Sequence, residues 1–233
     1  MKYNKYFFAI LFVLSSFAPN LSKDKYSKNL VSVSPLKKVE VIYNSLDANN
    51  YKLPSIESFE IAFEGFENLK SKGKIQNDYL TIVDYSLSSK SNRIWVIDMN
   101  ENKIIFNTLV AHGKNSGEDF ATRFSNRNES NQSSLGFFAT GETYIGQHGL
   151  SLKLDGLEAG VNDNARERAI VIHGADYVSR DFIKQHNRLG RSQGCPALPE
   201  ELSKKIIQTI KNKSCLFIYY PSNNYSKSSK LIS

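Results

Sequence analysis

The sequence is poor in the residues that build metal centres and covalent frameworks. Its 233 residues hold only two cysteines and four histidines. Two cysteines cannot make a disulfide framework. Neither H-E-x-x-H nor paired C-x-x-C spacing occurs, so no metal or other cofactor is expected. Long apolar runs are scarce too. Beyond residue 17 none is long enough to cross a bilayer. There is no internal repeat. No basic helix with interleaved aromatics is present, which argues against nucleic acid in spite of a formal charge of +7. That charge suits an anionic polymer, or it is a solvated lysine-rich surface.

What is present fits one globular core with an accessory segment. Apolar residues make up 40% of the chain and aromatics 12%, well above the disordered range. Residues 1–20 read as a secretory signal. Lys2 and Lys5 precede an uncharged, mostly apolar run over 6–17. No cysteine follows it, so lipoprotein attachment is not expected; an uncleaved anchor is the alternative. The chain is therefore expected outside the cytoplasm, in a periplasm or at the cell surface. Residues 21–38, rich in Ser, Lys and Asn, form a linker. A helical segment is expected over 39–74, with helices at 39–50 and 55–72. In the second, Ile56, Phe59, Ala62, Phe63, Phe66 and Leu69 form one apolar stripe. Pro54-Ser55 starts it and Gly73 stops it.

From residue 75 to 220 the period changes to that of a mainly β domain: a sandwich or twisted sheet with peripheral helices. Strands are expected at 79–84, 93–98, 103–110, 136–140, 150–154, 169–173 and 215–220. Helices are expected at 181–186 and 199–212, and residues 221–233 form a polar tail. Cys215 lies in the last strand and reads as a core thiol. The polar stretch 113–134 is a long loop, and loops of that length are functional or disordered.

Two stretches carry chemistry: Ala169-Ile-Val-Ile-His173-Gly174 and Gly190-Arg-Ser192-Gln-Gly194-Cys195-Pro196. A thiol is a weak nucleophile until a base takes its proton. His173 is the expected base and Cys195 the nucleophile. A bridge to Cys215 would consume that nucleophile. Gly194 allows positive φ and close substrate approach. The N–H groups of Gly194 and Cys195 are expected to face a developing oxyanion. Ser192 either orients His173, binds substrate backbone or serves the turn. Arg188 and Arg191 flank the turn, and a guanidinium grips a carboxylate bidentately. His112 and His148 each precede a glycine and are candidates for the groove or for strand-end caps.

His-Gly followed by Ser-x-Gly-Cys resembles the signature of YkuD-type L,D-transpeptidases, and within them the murein L,D-transpeptidase catalytic domain family. The order of the pair is the reverse of that in papain-like proteases. The blocks Val110-Ala-His112-Gly113-Lys-Asn-Ser116-Gly117, Phe124-Ser-Asn126, Ser133-Ser-Leu-Gly136 and Tyr144-Ile-Gly146-Gln-His148-Gly149-Leu-Ser carry the resemblance further. It implies a YkuD-type fold and acyl transfer on peptidoglycan tetrapeptide stems through a Cys195 thioester, with no partner protein. The wider pattern has a His where this chain has Gln193, and an Arg where it has Ala197. A Gln amide cannot titrate, and the usual carboxylate contact is missing unless Arg188 or Arg191 replaces it. An L,D-carboxypeptidase and a non-catalytic wall-binding protein stay open beside the transpeptidase.

Overall fold

The structure, a computed structural model, describes residues 35–232, with side chains from residue 38. The expected signal (1–20) and most of the expected linker (21–38) lie outside the described residues. Helix α1 runs Pro35–Asn44 and α2 runs Ile56–Ser71. Then follow β1 (Tyr79–Asp84), β2 (Ile94–Asp98), β3 (Lys103–Thr108), β4 (Gly136–Gly146), β5 (Gly149–Gly156) and β6 (Val171–Ala175). The rest is α3 (Arg180–His186), β7 (Ala197–Pro199), α4 (Glu200–Ile210), β8 (Cys215–Tyr219) and α5 (Asn223–Ser228). Among the described residues no helix is long and apolar enough to cross a membrane.

The eight strands form one mixed sheet in the order β3-β2-β1-β8-β4-β5-β6-β7. At its centre β1 and β8 pair in parallel, Leu80 opposite Cys215. Their mostly apolar sequences are buried throughout except at Tyr79, the first residue of β1, as strands covered on both faces require. Helix α2 covers β1 and β8, and α4 covers β5, β6 and β7. Ser55 caps α2 by accepting the Ser58 N–H at 3.2 Å, which satisfies one of the orphan donors of the first turn. The expected stripe is buried from Phe59 to Leu69, while Ile56 stays exposed. In α4 it is Ile206, Ile207 and Ile210 that face the sheet.

The two edges of the sheet meet. After β3 the chain continues to Ala111, whose N–H donates to the Ala197 carbonyl of β7 at 2.9 Å. Gly113 then bridges Ser192. The sheet thereby closes into a barrel-like ring, and the closure lies beside Cys195.

Several boundaries differ from expectation for local reasons. Helix α1 begins at Pro35, inside the expected linker, where proline suits a first helical position. It ends at Asn44 rather than 50. Asn49 and Asn50 take positive φ, which asparagine tolerates better than other side chains. Strand β4 runs to Gly146, six residues beyond expectation, as one arm of a hairpin with β5. The short β7 has no counterpart among the expected strands. The expected polar tail contains α5, capped by Ser222. Its buried Tyr225 donates to the Glu158 carboxylate at 3.0 Å. Both cysteines are free, and Cys215 is buried.

Gly65 of α2 lies against the Phe137 ring of β4. A methyl group added there would stand 2.0 Å from Phe137 Cζ. Alanine gains up to about 1 kcal/mol of helix propensity over glycine. Overpacking costs about 1–3 kcal/mol, so the clash should win. Gly65→Ala should lower the urea midpoint, and adding Phe137→Leu should recover part of the loss. An unchanged midpoint for Gly65→Ala would show that α2 shifts away freely.

Candidate active site

The turn before β7 is built from its own short side chains. Ser192 N–H donates to the His112 carbonyl at 3.0 Å, and Lys114 N–H donates to the Ser192 carbonyl at 2.8 Å. The Ser192 hydroxyl donates to the Cys195 carbonyl at 2.6 Å and accepts the Gly194 N–H at 3.0 Å. Ser192 therefore serves the turn. Gly194 adopts φ 128°, and a Cβ there would stand 2.8 Å from the Gln132 carbonyl, so only glycine fits. Ser133 Oγ donates to the Gly194 carbonyl at 3.2 Å.

These bonds correct one expectation. The Gly194 N–H is engaged by Ser192 and cannot face an oxyanion. The Cys195 N–H has no hydrogen-bond partner among the described residues, so it is the turn's open donor.

His173 lies on β6, opposite Ser151 of β5 and Ala197 of β7. Its Nδ1 is 2.8 Å from the Gly174 carbonyl. A carbonyl only accepts, so Nδ1 carries the proton and Nε2 is left with a lone pair. The His148 ring stacks on His173 at 4.4 Å. His173 is buried, and burial is the main cause that moves its pKa below the ordinary value. The Gly174 carbonyl opposes that shift and His148 adds to it. The imidazole is thus neutral and ready to accept a proton.

Cys195 is partly exposed. Its thiol donates to the Ala169 carbonyl at 3.7 Å and accepts the Val171 N–H at 3.4 Å. Among the described residues no hydrogen bond joins it to His173, although both line one cavity of about 750 Å³. Desolvation pushes the thiol pKa up, against smaller pulls from the Val171 N–H and Arg168. The resting pair is therefore a neutral thiol beside a neutral imidazole. A neutral pair of this kind would pass its proton only as the sulfur reacts, and loose geometry before a ligand binds is ordinary for catalytic sites.

Gln193, Arg191, Ser192 and His148 also line this cavity; His112 and Arg188 do not. His112 is a buried structural residue, not a groove residue. Arg93 donates to its Nδ1 at 2.7 Å, so its Nε2 carries the proton toward the Gly117 carbonyl at 3.3 Å. Burial, and then the Arg93 charge, hold its pKa down to about 4. Arg188 is turned to Glu118, with Nε 3.1 Å from Oε2. Arg191 Nη1 bonds the other oxygen of the same carboxylate at 2.5 Å. Neither arginine holds a free place for a second anion on the edge it gives to Glu118.

Two cavity residues carried no signal in a motif. Arg168 donates to the carbonyls of Ser125 and Gln132 and to the hydroxyls of Ser130 and Ser134, all within 3.1 Å. It pins the 113–134 loop beside Cys195, and its hydrogen bonds go only to neutral oxygens. Tyr177 packs against Gly190, where a Cβ would be 2.4 Å from the tyrosine's own. Among the described residues no three His, Cys, Asp or Glu side chains converge as a metal site.

Over residues 50–219 the sequence matches the family model of the L,D-transpeptidase catalytic domain. Among solved structures, the chain is similar to an L,D-transpeptidase from Mycobacterium smegmatis at 10% identity and a TM-score of 0.38, over 61% of this chain and 59% of that one. It is similar to an Enterococcus faecium L,D-transpeptidase at 14% and 0.36, over 62% and 50%. It is also similar to the helical cell shape determining protein of Campylobacter jejuni at 14% and 0.40, over 73% and 58%. The chain thus spans about half to three fifths of the length of these proteins. No curated protein matches it.

The neutral resting pair has a measurable consequence. Iodoacetamide should alkylate Cys195 slowly at pH 6–7, because a raised pKa leaves little thiolate there. The rate should climb about tenfold per pH unit while the thiolate fraction is small, and should still rise above pH 9. A rate that is flat from pH 6 to 8 would instead reveal a preformed thiolate–imidazolium pair.

Proposed function

Because the chain belongs to the L,D-transpeptidase catalytic domain family, we propose that it is a cysteine-dependent L,D-transpeptidase acting on peptidoglycan tetrapeptide stems. The observation that carries this reading is the His173 tautomer. Its Nδ1–H is held by Gly174, which leaves Nε2 as a base in the cavity that holds Cys195. In the proposed reaction Nε2 takes the thiol proton as Sγ attacks the carbonyl of the third stem residue. The oxyanion meets the Cys195 N–H. The imidazolium returns the proton to the departing D-alanine nitrogen, and a thioester remains. An amine from a neighbouring stem then attacks the thioester and forms the cross-link. Water in its place would give an L,D-carboxypeptidase. A non-catalytic wall-binding role is less favoured, since both reacting residues are intact. The apolar run after Lys2 and Lys5 supports export to the periplasm or the cell surface.

Defined tetrapeptide muropeptides test the proposal. The enzyme should release D-alanine, with cross-linked dimer distinguishing transfer from hydrolysis to tripeptide. A carbapenem should leave one adduct on the peptide that contains Cys195. Cys195→Ala should abolish release and adduct alike. His173→Ala should slow acylation by about 10²–10⁴-fold, the usual worth of general-base assistance. Cys215→Ala should stay active and lose on the order of 1 kcal/mol of stability from a small cavity. No D-alanine and no adduct in folded, reduced protein would favour the wall-binding role.

A further inference from the structure

One carboxylate serves both arginines beside the nucleophile's turn. Glu118 accepts from Arg191 through Oε1 and lies against Arg188 through Oε2. Its side chain is 72% exposed, whereas Arg191 is only 21% exposed. Exposed ion pairs are weak, so Glu118 offsets the charge of Arg191 only in part.

Arg191 is the partner that matters to the site. It lines the cavity that holds Cys195, and Arg188 does not. Its bonds to described residues, to Lys114, Gly117 and Glu118, all leave through Nη1. No described residue accepts from its Nη2 or Nε, and a guanidinium uses such an edge to hold a carboxylate bidentately. Arg168 cannot do the same. Both its terminal nitrogens are already committed to four neutral oxygens of the loop.

We propose that Arg191 is the receptor for a substrate carboxylate near the scissile bond, and that Glu118 partly occupies it at rest. The substrate group takes the free Nη2–Nε edge, and the Glu118 carboxylate on Nη1 weakens the hold by offsetting the arginine's charge. The proposal rests on the acyl-transfer reading of the Cys195 site and names the group that site recognises. A tetrapeptide stem offers two such carboxylates: the C-terminus of the leaving D-alanine, and the side-chain carboxylate of a dicarboxylic third residue.

The test uses three synthetic tetrapeptides: the free acid, the C-terminal amide and the third-residue side-chain amide. Glu118→Gln should lower KM for the free acid by about two- to fivefold, the range of a weak exposed pair. It should leave KM unchanged for whichever amide lacks the recognised group, and that amide identifies the source. Arg191→Gln should raise KM for the free acid by about tenfold or more, as loss of a charge-assisted contact does, and should erase the preference for acid over amide. An unchanged or raised KM for the acid in Glu118→Gln would overturn the proposal and make Glu118 a loop latch. So would an acid preference that survives Arg191→Gln.

If the wild type turns over none of the three, the acyl-transfer reading has failed, and the receptor is tested separately. Calorimetry on Cys195→Ala with N-acetylated peptides ending in D-alanine or its amide should show tighter acid binding. Adding Glu118→Gln should sharpen that difference. Equal binding of acid and amide would overturn the receptor itself.

Discussion

The backbone pairing between the chain leaving β3 and the strand β7 is the constraint on which the site depends. Without Ala111 donating to Ala197, β3 and β7 would both be free edges, and free edges invite pairing with another chain. With it, the turn that carries Cys195 is held at both ends, at Ser192 by His112 and Lys114 and at Ala197 by Ala111. Beneath the pairing lies Arg93, wholly buried. It donates to the carbonyls of Val110 and Leu87 and to His112, over the Tyr85 ring. Burial brings its pKa down only to about 10, so it keeps its charge. A buried charge is tolerable when its donors are matched. Here they are matched mainly by the carbonyls whose positions set the closure.

The long polar loop follows the same logic. Its serines are short enough to bond backbone without filling space. Ser116 Oγ accepts the Ser133 N–H, and Ser133 Oγ accepts the Gly113 N–H. Ser133 then reaches the Gly194 carbonyl, so the loop and the turn that carries Cys195 are one hydrogen-bonded body. Arg168 clips it from the other side. The stretch has few apolar side chains: Ala121 and Phe124 pack on the core, and the polar remainder is ordered by hydrogen-bond satisfaction.

How much of this was legible depended on distance in sequence. The stripe of α2, the strand of Cys215 and the placing of His173 and Cys195 on one cavity could be read because period and motif are local or shared with a family. The helix in the tail was not legible, because it depends on Tyr225 meeting a buried Glu158 far away in sequence. The burial of His112 is set by Arg93, 19 residues earlier. Arg168 acts on residues 34 to 43 positions away, and no motif marks such a pair. The loss of Gly194 as an oxyanion donor is different. Its partner Ser192 is two residues away, and serine hydroxyls favour such local bonds to backbone, so that signal lies in the sequence itself.

The departure at Ala197 has a structural reason of the same kind. Its side chain is wholly buried in a small cluster with Leu109, Ala111, Ala175, Val178 and Leu189. A guanidinium there would be desolvated among apolar groups, at a cost of several kcal/mol for an unpaired charge. The apolar cluster thus disfavours an arginine at this position. On the cavity wall Arg191 keeps Nη2 and Nε free of acceptors among the described residues. The neutral thiol belongs to the same design. Ala169 takes φ 52°, sparsely populated for a non-glycine residue, and its carbonyl accepts from the thiol. That contact favours the protonated form. Oxidation follows thiolate character, so a thiol held in its protonated form by Ala169 is the less readily oxidised of its two states.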